Sequence, residues 1–305
     1  MSAPAERERL GNDKVTEVQP TELLDVAGIE RRHVQQVYDD IATHFSATRY
    51  KAWPRVRAFI ESLPRYATVV DVGCGNGKYF SCAQNFMAAI SNAPDDGANE
   101  EGQTGPAYRF VAGVDFSERL LRLALNQLDH EASETSPSSS RSLGTRGRTE
   151  LLLADARRTA FRNGAFDAAI SIAVVHHFAT HERRLDAVRE LLRLVRPDGL
   201  ILIYVWAKER PEKRPRSGAS DVFIRWEMHE AHDPERRVHH RYYHLFGEGE
   251  LERLVEEAGG VVRESYFDKE NWCVVLQKTK GVNSDGTLEM GHQCYSFHPL
   301  MCFAS

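Results

Sequence analysis

Thr68-Val-Val-Asp-Val-Gly-Cys-Gly-Asn-Gly77 is the stretch on which the rest of the chain depends. An apolar run reaches Asp71, and glycines follow at alternate positions, Gly73, Gly75 and Gly77, before Lys78-Tyr-Phe80 opens what reads as a helix. Glycine suits a backbone that turns tightly after a strand and lets a ligand approach with no Cβ in between. The stretch is therefore expected to be a nucleotide-type ligand loop at the C-terminal end of a strand. An ordinary glycine-rich turn is the competing reading, and downstream motifs separate the two.

The spacing is G-x-G-x-G with an acid two residues before the first glycine, whereas the dinucleotide fingerprint needs a glycine where Lys78 stands. That difference favours S-adenosylmethionine over NAD. The stretch resembles the first motif of class I S-adenosylmethionine-dependent methyltransferases. The resemblance implies that Asp71 and the backbone of Gly73 and Gly75 lie against the methionyl end of the cofactor.

Composition bounds the alternatives. The chain has 305 residues, 42% of them hydrophobic, which is enough for one large α/β core. A net charge of -5 argues against non-specific coating of nucleic acid and leaves room for a local basic face. Cys74, Cys82, Cys273, Cys294 and Cys302 include no C-x-x-C pair, so free thiols in a reducing compartment are expected. No signal-peptide core or membrane-length apolar run is present, which predicts a soluble protein of the cytoplasm or nucleus with no membrane partner.

Residues 1–29 are polar and aperiodic and are expected to be disordered. From Val34 the positions Val37, Tyr38, Ile41, Ala42 and Phe45 predict one amphipathic helix. Arg49 to Trp53 mixes cations with aromatics before Pro54 starts a second helix. After the glycine loop, residues 91–107 and 129–149 have the composition of solvated insertions. Between them Arg109-Phe-Val-Ala-Gly-Val-Asp115 reads as a strand ending on an acid, with Ser117 capping a helix over Glu118–Leu128. A third strand runs Leu151 to Ala156, and a fourth fills the apolar segment before His176-His177. Thr180 caps a helix that stops at Arg196-Pro-Asp-Gly199, and a fifth strand, Leu200–Trp206, follows at once. Strand and helix patterns alternate, and Val261–Phe267 with Asn271–Gln277 reads as a closing hairpin. The expected fold is α/β, a doubly wound, mainly parallel sheet with a C-terminal antiparallel hairpin. In the family that it resembles the sheet has seven strands. The methyltransferase domain is placed at 30–278, with a substrate loop at 207–246 before a helix over Glu248–Ala258, and a tail at 279–305.

The resemblance assigns the strand-end acids: Asp115 to the ribose hydroxyls, and Asp155 with Ala156 to the adenine. Each acid alone has a plainer reading as a turn or cap residue. Three further signatures are Tyr38-x-x-Ile-Ala-x-x-Phe-x-x-Thr-Arg49-x-x-x-Trp53-Pro54, Ile172-Ala-Val-Val-His176-His177 and Arg241-Tyr242-Tyr243-His244-Leu-Phe246. Together they resemble the tRNA wobble-uridine methyltransferases, which esterify 5-carboxymethyluridine in the anticodon loop. A carboxylate acceptor is ionised at neutral pH and needs no general base, so the site has to align it and exclude water. Arg49 and Arg241 are the candidates to orient that carboxylate, His176 to contact the reacting end, and Trp53, Tyr242 or Tyr243 to stack on a base.

Plainer roles stand beside these. Arg49 has the position of a surface residue, Trp53 has core spacing with Val56 and Ile60, and one of the two histidines is expected to be structural. His229, His232, His239, His240 and His244 lack the cysteine or carboxylate spacing of a metal site, and none is assigned. The cofactor half alone would equally suit a small-molecule, quinone-type methyltransferase or a silent scaffold. The resemblance also implies a heterodimer with a small zinc-bearing activator protein, docked along the edge strand at Leu151–Leu153.

Overall fold

The computed structural model describes residues 15–19, 21–83, 109–134, 148–210 and 217–279, with the side chains of 131–134 excepted. The insertion at 91–107, most of that at 129–149, and all but the first residue of the tail lie outside the described residues.

Three short helices precede the main sheet's first strand and the helix before it, α1 (Val26–Glu30), α2 (Gln36–Asp40) and α3 (Ala42–Thr48), with a π-turn over Arg31–Gln35 between the first two. The single helix expected here is thus broken, at the π-turn and again at Ile41, so its buried face bends around a neighbour. Helix α4 (Pro54–Ser62) begins with proline at N1. Arg109, fully buried, caps its far end by donating to the carbonyls of Glu61, Leu63 and Pro64.

The main sheet has seven strands: β2 (Thr68–Val72), β3 (Phe110–Asp115), β4 (Thr149–Leu153), β5 (Phe166–Ile172), β6 (Val195–Trp206), β9 (Gly260–Asp268) and β10 (Asn271–Lys278). Their order is β4-β3-β2-β5-β6-β10-β9, and β10 is antiparallel to both its neighbours while the five earlier strands run parallel. Central strands of such a sheet are buried on both faces, which is why they read as unbroken apolar runs. Alternate side chains enter two cores: Val70, Val72, Ala112 and Val114 face α6 (His181–Leu194) and α7 (Glu250–Glu257), while Val69 and Val111 face α4 and α5 (Glu118–Glu134). Ser117 and Thr180 cap α5 and α6 as expected, accepting from the amides of Leu120 and Arg183. Helix α5 runs on to Glu134, so the second insertion starts later than its composition suggested. Gly199 lets the β5–β6 register slip: a Cβ there would sit 2.8 Å from the Arg196 carbonyl oxygen and 2.9 Å from that of Asp167.

Two expectations are corrected. Residues 15–19 and 21–29 are ordered, residues 1–14 lying outside the described ones: β1 (Val15–Glu17) pairs with β7 (Asp221–Glu227), and Asp25 caps α1 by accepting from the Gly28 amide at 2.9 Å. The segment 207–246 is not a loop but holds most of a second, antiparallel sheet, β1-β7-β8, with β8 at Val238–His244. Phe223, Trp226 and Tyr242 of this sheet pack with Val37, Tyr38 and Ile41 into a separate core. Polar residues hid β7 and β8, because both faces are largely buried, Phe223, Trp226 and Tyr242 in one core and Val222, Ile224 and Tyr243 in another, and Arg241 and His244 are buried among them. Among the described residues, the helical order that follows the glycine loop is a 3-10 turn at Phe80–Ala83. Cys74, Cys82 and Cys273 are buried free thiols; Cys294 and Cys302 lie outside the described residues. Among the described residues no helix is long and apolar enough to cross a membrane.

Candidate active site

The strand order reverses between the parallel neighbours β2 and β5, one connection leading out to β3 and the other to β6, and a crevice opens at the C-terminal strand ends there. A cavity of about 250 Å³ occupies it.

Its first half is built from backbone and strand-end acids. Gly73, Gly75 and Gly77 have φ of 84°, 55° and 77°. At Gly73 a Cβ would lie 2.1 Å from a Val174 methyl, so that glycine permits packing; at Gly75 a Cβ would make an ordinary contact, 3.8 Å from the Phe45 ring, and it is the left-handed backbone that calls for glycine. Asp115 ties the loop down, accepting from the Gly75 amide at 2.8 Å and the Ser117 amide at 2.9 Å. Burial nonetheless raises its carboxyl to about 6. Asp71 lies below the cavity wall, 1% exposed, with Oδ2 lacking a partner among the described residues; burial carries its carboxyl to about 7 against the opposing pull of Lys78. Asp155 lines the far end and forks onto Arg157, through Nε at 3.1 Å and Nη2 at 2.5 Å, which holds it below the ordinary carboxylate range despite its burial. The left-handed glycine turn, the two-oxygen acceptor at Asp115 and the buried carboxyl of Asp71 beneath them fit S-adenosylmethionine.

The second half is built from side chains far apart in sequence. Two guanidinium groups share one indole: Arg241 lies 4.6 Å and Arg49 5.7 Å from the Trp226 ring centre. Arg241 donates from Nη1 to the Tyr243 hydroxyl at 2.8 Å, and that hydroxyl is 3.2 Å from the Tyr38 hydroxyl. The Tyr38 hydroxyl is 3.0 Å from His177 Nε2, and His177 Nδ1 is 2.8 Å from the Tyr242 carbonyl oxygen. Both ends of this chain have fixed polarity. Arginine only donates and a carbonyl only accepts, so Nδ1 of His177 carries the proton and its Nε2 accepts from Tyr38. Tyr243 then donates to Tyr38. Burial lowers His177 to about 3, which keeps it neutral with both ring nitrogens engaged.

The Schizosaccharomyces pombe tRNA (carboxymethyluridine(34)-5-O)-methyltransferase is 36% identical over 266 residues, covering 82% of this chain and 97% of the relative. This chain belongs to that methyltransferase family. The family member of Xenopus tropicalis, alkbh8, is 34% identical over 309 residues and 84% of this chain, although the chain spans 42% of that relative's length. A methyltransferase-domain family model matches residues 96–203. In fold the chain is similar to an S-adenosylmethionine-dependent methyltransferase from Clostridium acetobutylicum, with TM-score 0.53 and 10% identity over 80% of this chain and 99% of that one. The [4+2]-cyclase SpnF is nearly as similar, with TM-score 0.51 and 14% identity over 81% of this chain and 96% of that one. A shared fold therefore leaves the reaction to be argued from the site.

Arg49, Trp53, Gly73, Gly75, Asp115, Asp155, Ala156, Arg241 and Tyr243 all line the cavity, whereas Asp71 does not. His176 does not: it is fully buried, its Nδ1 accepts from the Trp206 amide at 3.0 Å, and its neighbour His177 takes the place expected for it. Tyr242 is also absent from the wall, fully buried with its hydroxyl bonded to Asp221, and is closed to a stacking base. Trp53 is half-buried against Tyr204 at 5.5 Å and lies 4.7 Å beneath the Lys78 ammonium, so it serves core and cavity together. Sequence reasoning gave no role to Tyr38, Trp206, Lys269 or Asn271, which also line the site. Tyr38 stood in a quoted signature, but its partners lie 139 and 205 residues away.

Proposed function

We propose that this protein transfers the methyl group of S-adenosylmethionine to the carboxylate of 5-carboxymethyluridine at the tRNA wobble position, forming the methyl ester. When bound, S-adenosylmethionine supplies an electrophilic methyl on a sulfonium. The loop at Gly73–Gly77 with Asp71, Asp115 and Asp155 holds that molecule, and Arg49 and Arg241 bring the acceptor carboxylate to it by charge-assisted hydrogen bonds. Trp226 spreads under both guanidinium groups and fixes their planes.

The observation that carries this proposal is the engaged state of His177. Methylating a phenol or an amine calls for a group that removes a proton, and the histidine lining this cavity has neither nitrogen to spare. Glu30, another lining acid, is committed to Arg183 and the Ala179 amide. An acceptor that arrives ionised needs neither. Esterification also cancels the acceptor's charge, which loosens the hold of both arginines on the product.

A partner belongs to the same proposal. Among the described residues β4 is the last strand of the sheet on its side and Leu153 is 55% exposed, a surface suited to docking of a small zinc-bearing activator. The test is incubation of the chain, with and without that activator, with labelled methyl donor and tRNA from cells lacking the ester, followed by nucleoside mass spectrometry. A base-labile methyl ester on the carboxymethylated wobble base is expected. Label confined to the lipid-soluble fraction would establish the quinone-type alternative, and donor binding without transfer would establish a silent scaffold.

A further inference from the structure

The tip of the β9–β10 hairpin is Lys269-Glu270, a two-residue connection between the paired residues Asp268 and Asn271. Both tip residues lie in the left-handed region, Lys269 at φ 49° and Glu270 at φ 61°. Turns of this kind prefer Asn-Gly, because a side chain with a Cβ is disfavoured there. Here neither residue is glycine or asparagine.

The strained turn is held from several sides. Asn271 Nδ2 donates to the carbonyls of Asp268 at 3.1 Å and Lys269 at 2.7 Å. Glu270 pairs with Arg210 Nε at 3.1 Å, both side chains under one-fifth exposed, and its carbonyl accepts from the Ala207 amide at 3.0 Å. Tyr204 donates its hydroxyl to Asp268 at 3.2 Å. Strain this thoroughly braced points to a use for the residue it presents.

That residue is Lys269. It lines the cavity and is exposed, and its ammonium has no hydrogen-bond or ion-pair partner among the described residues. The neighbouring cavity lysine, Lys78, differs in lying 4.7 Å from the Trp53 ring and 4.8 Å from that of Tyr79. The hairpin tip also stands on the acceptor side of the cavity: Asn271 is in register with Trp206, whose ring is 4.5 Å from Tyr243, the hydroxyl partner of Arg241. With Arg49 and Arg241 assigned to the acceptor carboxylate, a separate cation at the rim suits a different anion of the same substrate.

We propose that Lys269 contacts a backbone phosphodiester of the RNA beside the modified nucleotide, an assignment that rests on the RNA-methyltransferase reading of the cavity. A lysine meets phosphate as a point charge and without base preference, so it serves register and affinity rather than chemistry.

Steady-state methylation of tRNA by the chain with its activator, measured against salt concentration, tests this. Lys269→Ala is expected to raise the KM for tRNA about three- to tenfold, keep kcat within about twofold, and reduce the slope of log affinity against log salt by about 0.7 to 1. Lys269→Arg should stay within about twofold of wild type. Lys269→Gly should raise KM like the alanine variant while its melting temperature equals or exceeds the wild-type value, because glycine relieves the left-handed position. An unchanged KM and salt slope in Lys269→Ala would overturn the assignment. So would a fall in kcat shared by tRNA and the free 5-carboxymethyluridine nucleoside, which would mark a carboxylate contact. Wild-type protein that transfers no methyl to RNA would overturn the underlying reading of the cavity instead.

Discussion

The two halves of the cavity are made in different ways. Around β2, β3 and β4 each functional group comes from a strand end or a tight turn, so local backbone geometry places it. Around β5, β6 and the second sheet, Tyr38, His177, Arg241 and Tyr243 are meaningful only through one another. The first half is a binding site assembled in series along the chain, and the second is a network whose members position each other.

Substitutions should split along that line. The largest effect is expected for Arg241→Met, which removes the buried guanidinium assigned above to the acceptor carboxylate: kcat should fall about 1,000-fold while the Kd for the methyl donor stays within about twofold. Loss of donor binding in that variant would break the division. Asp115→Asn is the mirror experiment. It replaces an acceptor of two backbone amides, assigned also to the donor's ribose diol, with a group that is half donor, and should weaken donor binding about 100-fold by calorimetry with RNA affinity unchanged.

Tyr38→Phe sharpens the comparison further. Removing one hydroxyl strands His177 Nε2 and Tyr243 together, so kcat should drop about tenfold with both substrate affinities nearly intact. Long-range proton–nitrogen spectra of the wild type should show His177 with its proton on Nδ1. An Nε2-protonated ring would reverse the direction of the chain.

The smallest expected effect is a proton count. Asp71 at about 7 and Asp115 at about 6 titrate above the ordinary carboxylate range in the ligand-free fold. The native state therefore binds more protons than the unfolded chain across roughly pH 4 to 7, and these two groups lower its stability as pH rises through that window. A cationic ligand beside Asp71 ionises it, so donor binding near pH 6 should release about one proton. Calorimetry in buffers of different ionisation enthalpy reads that number, and zero release would detach Asp71 from the ligand.

Legibility in sequence follows the same division. The glycine loop, the acids at 71, 115 and 155, and the caps at Ser117 and Thr180 were readable because each is set by its immediate neighbours. The small sheet was not, since β1 pairs with a strand some 200 residues on and supplies only three residues of weak pattern. His176 and His177 are adjacent in sequence, and only the packing of Trp206 and Tyr242 decides which one faces the cavity. Tyr242 and Tyr243 alternate along β8 in the same way: one enters the core with Asp221 and the other meets Arg241.

The most direct measurement is the pH dependence of kcat with methyl donor and RNA both saturating. An acceptor carboxylate ionised throughout, beside a histidine already spoken for, predicts a flat profile from about pH 6 to 9. A log kcat that climbs with unit slope across that range would mean a proton has to leave before the methyl arrives, and would contradict the account.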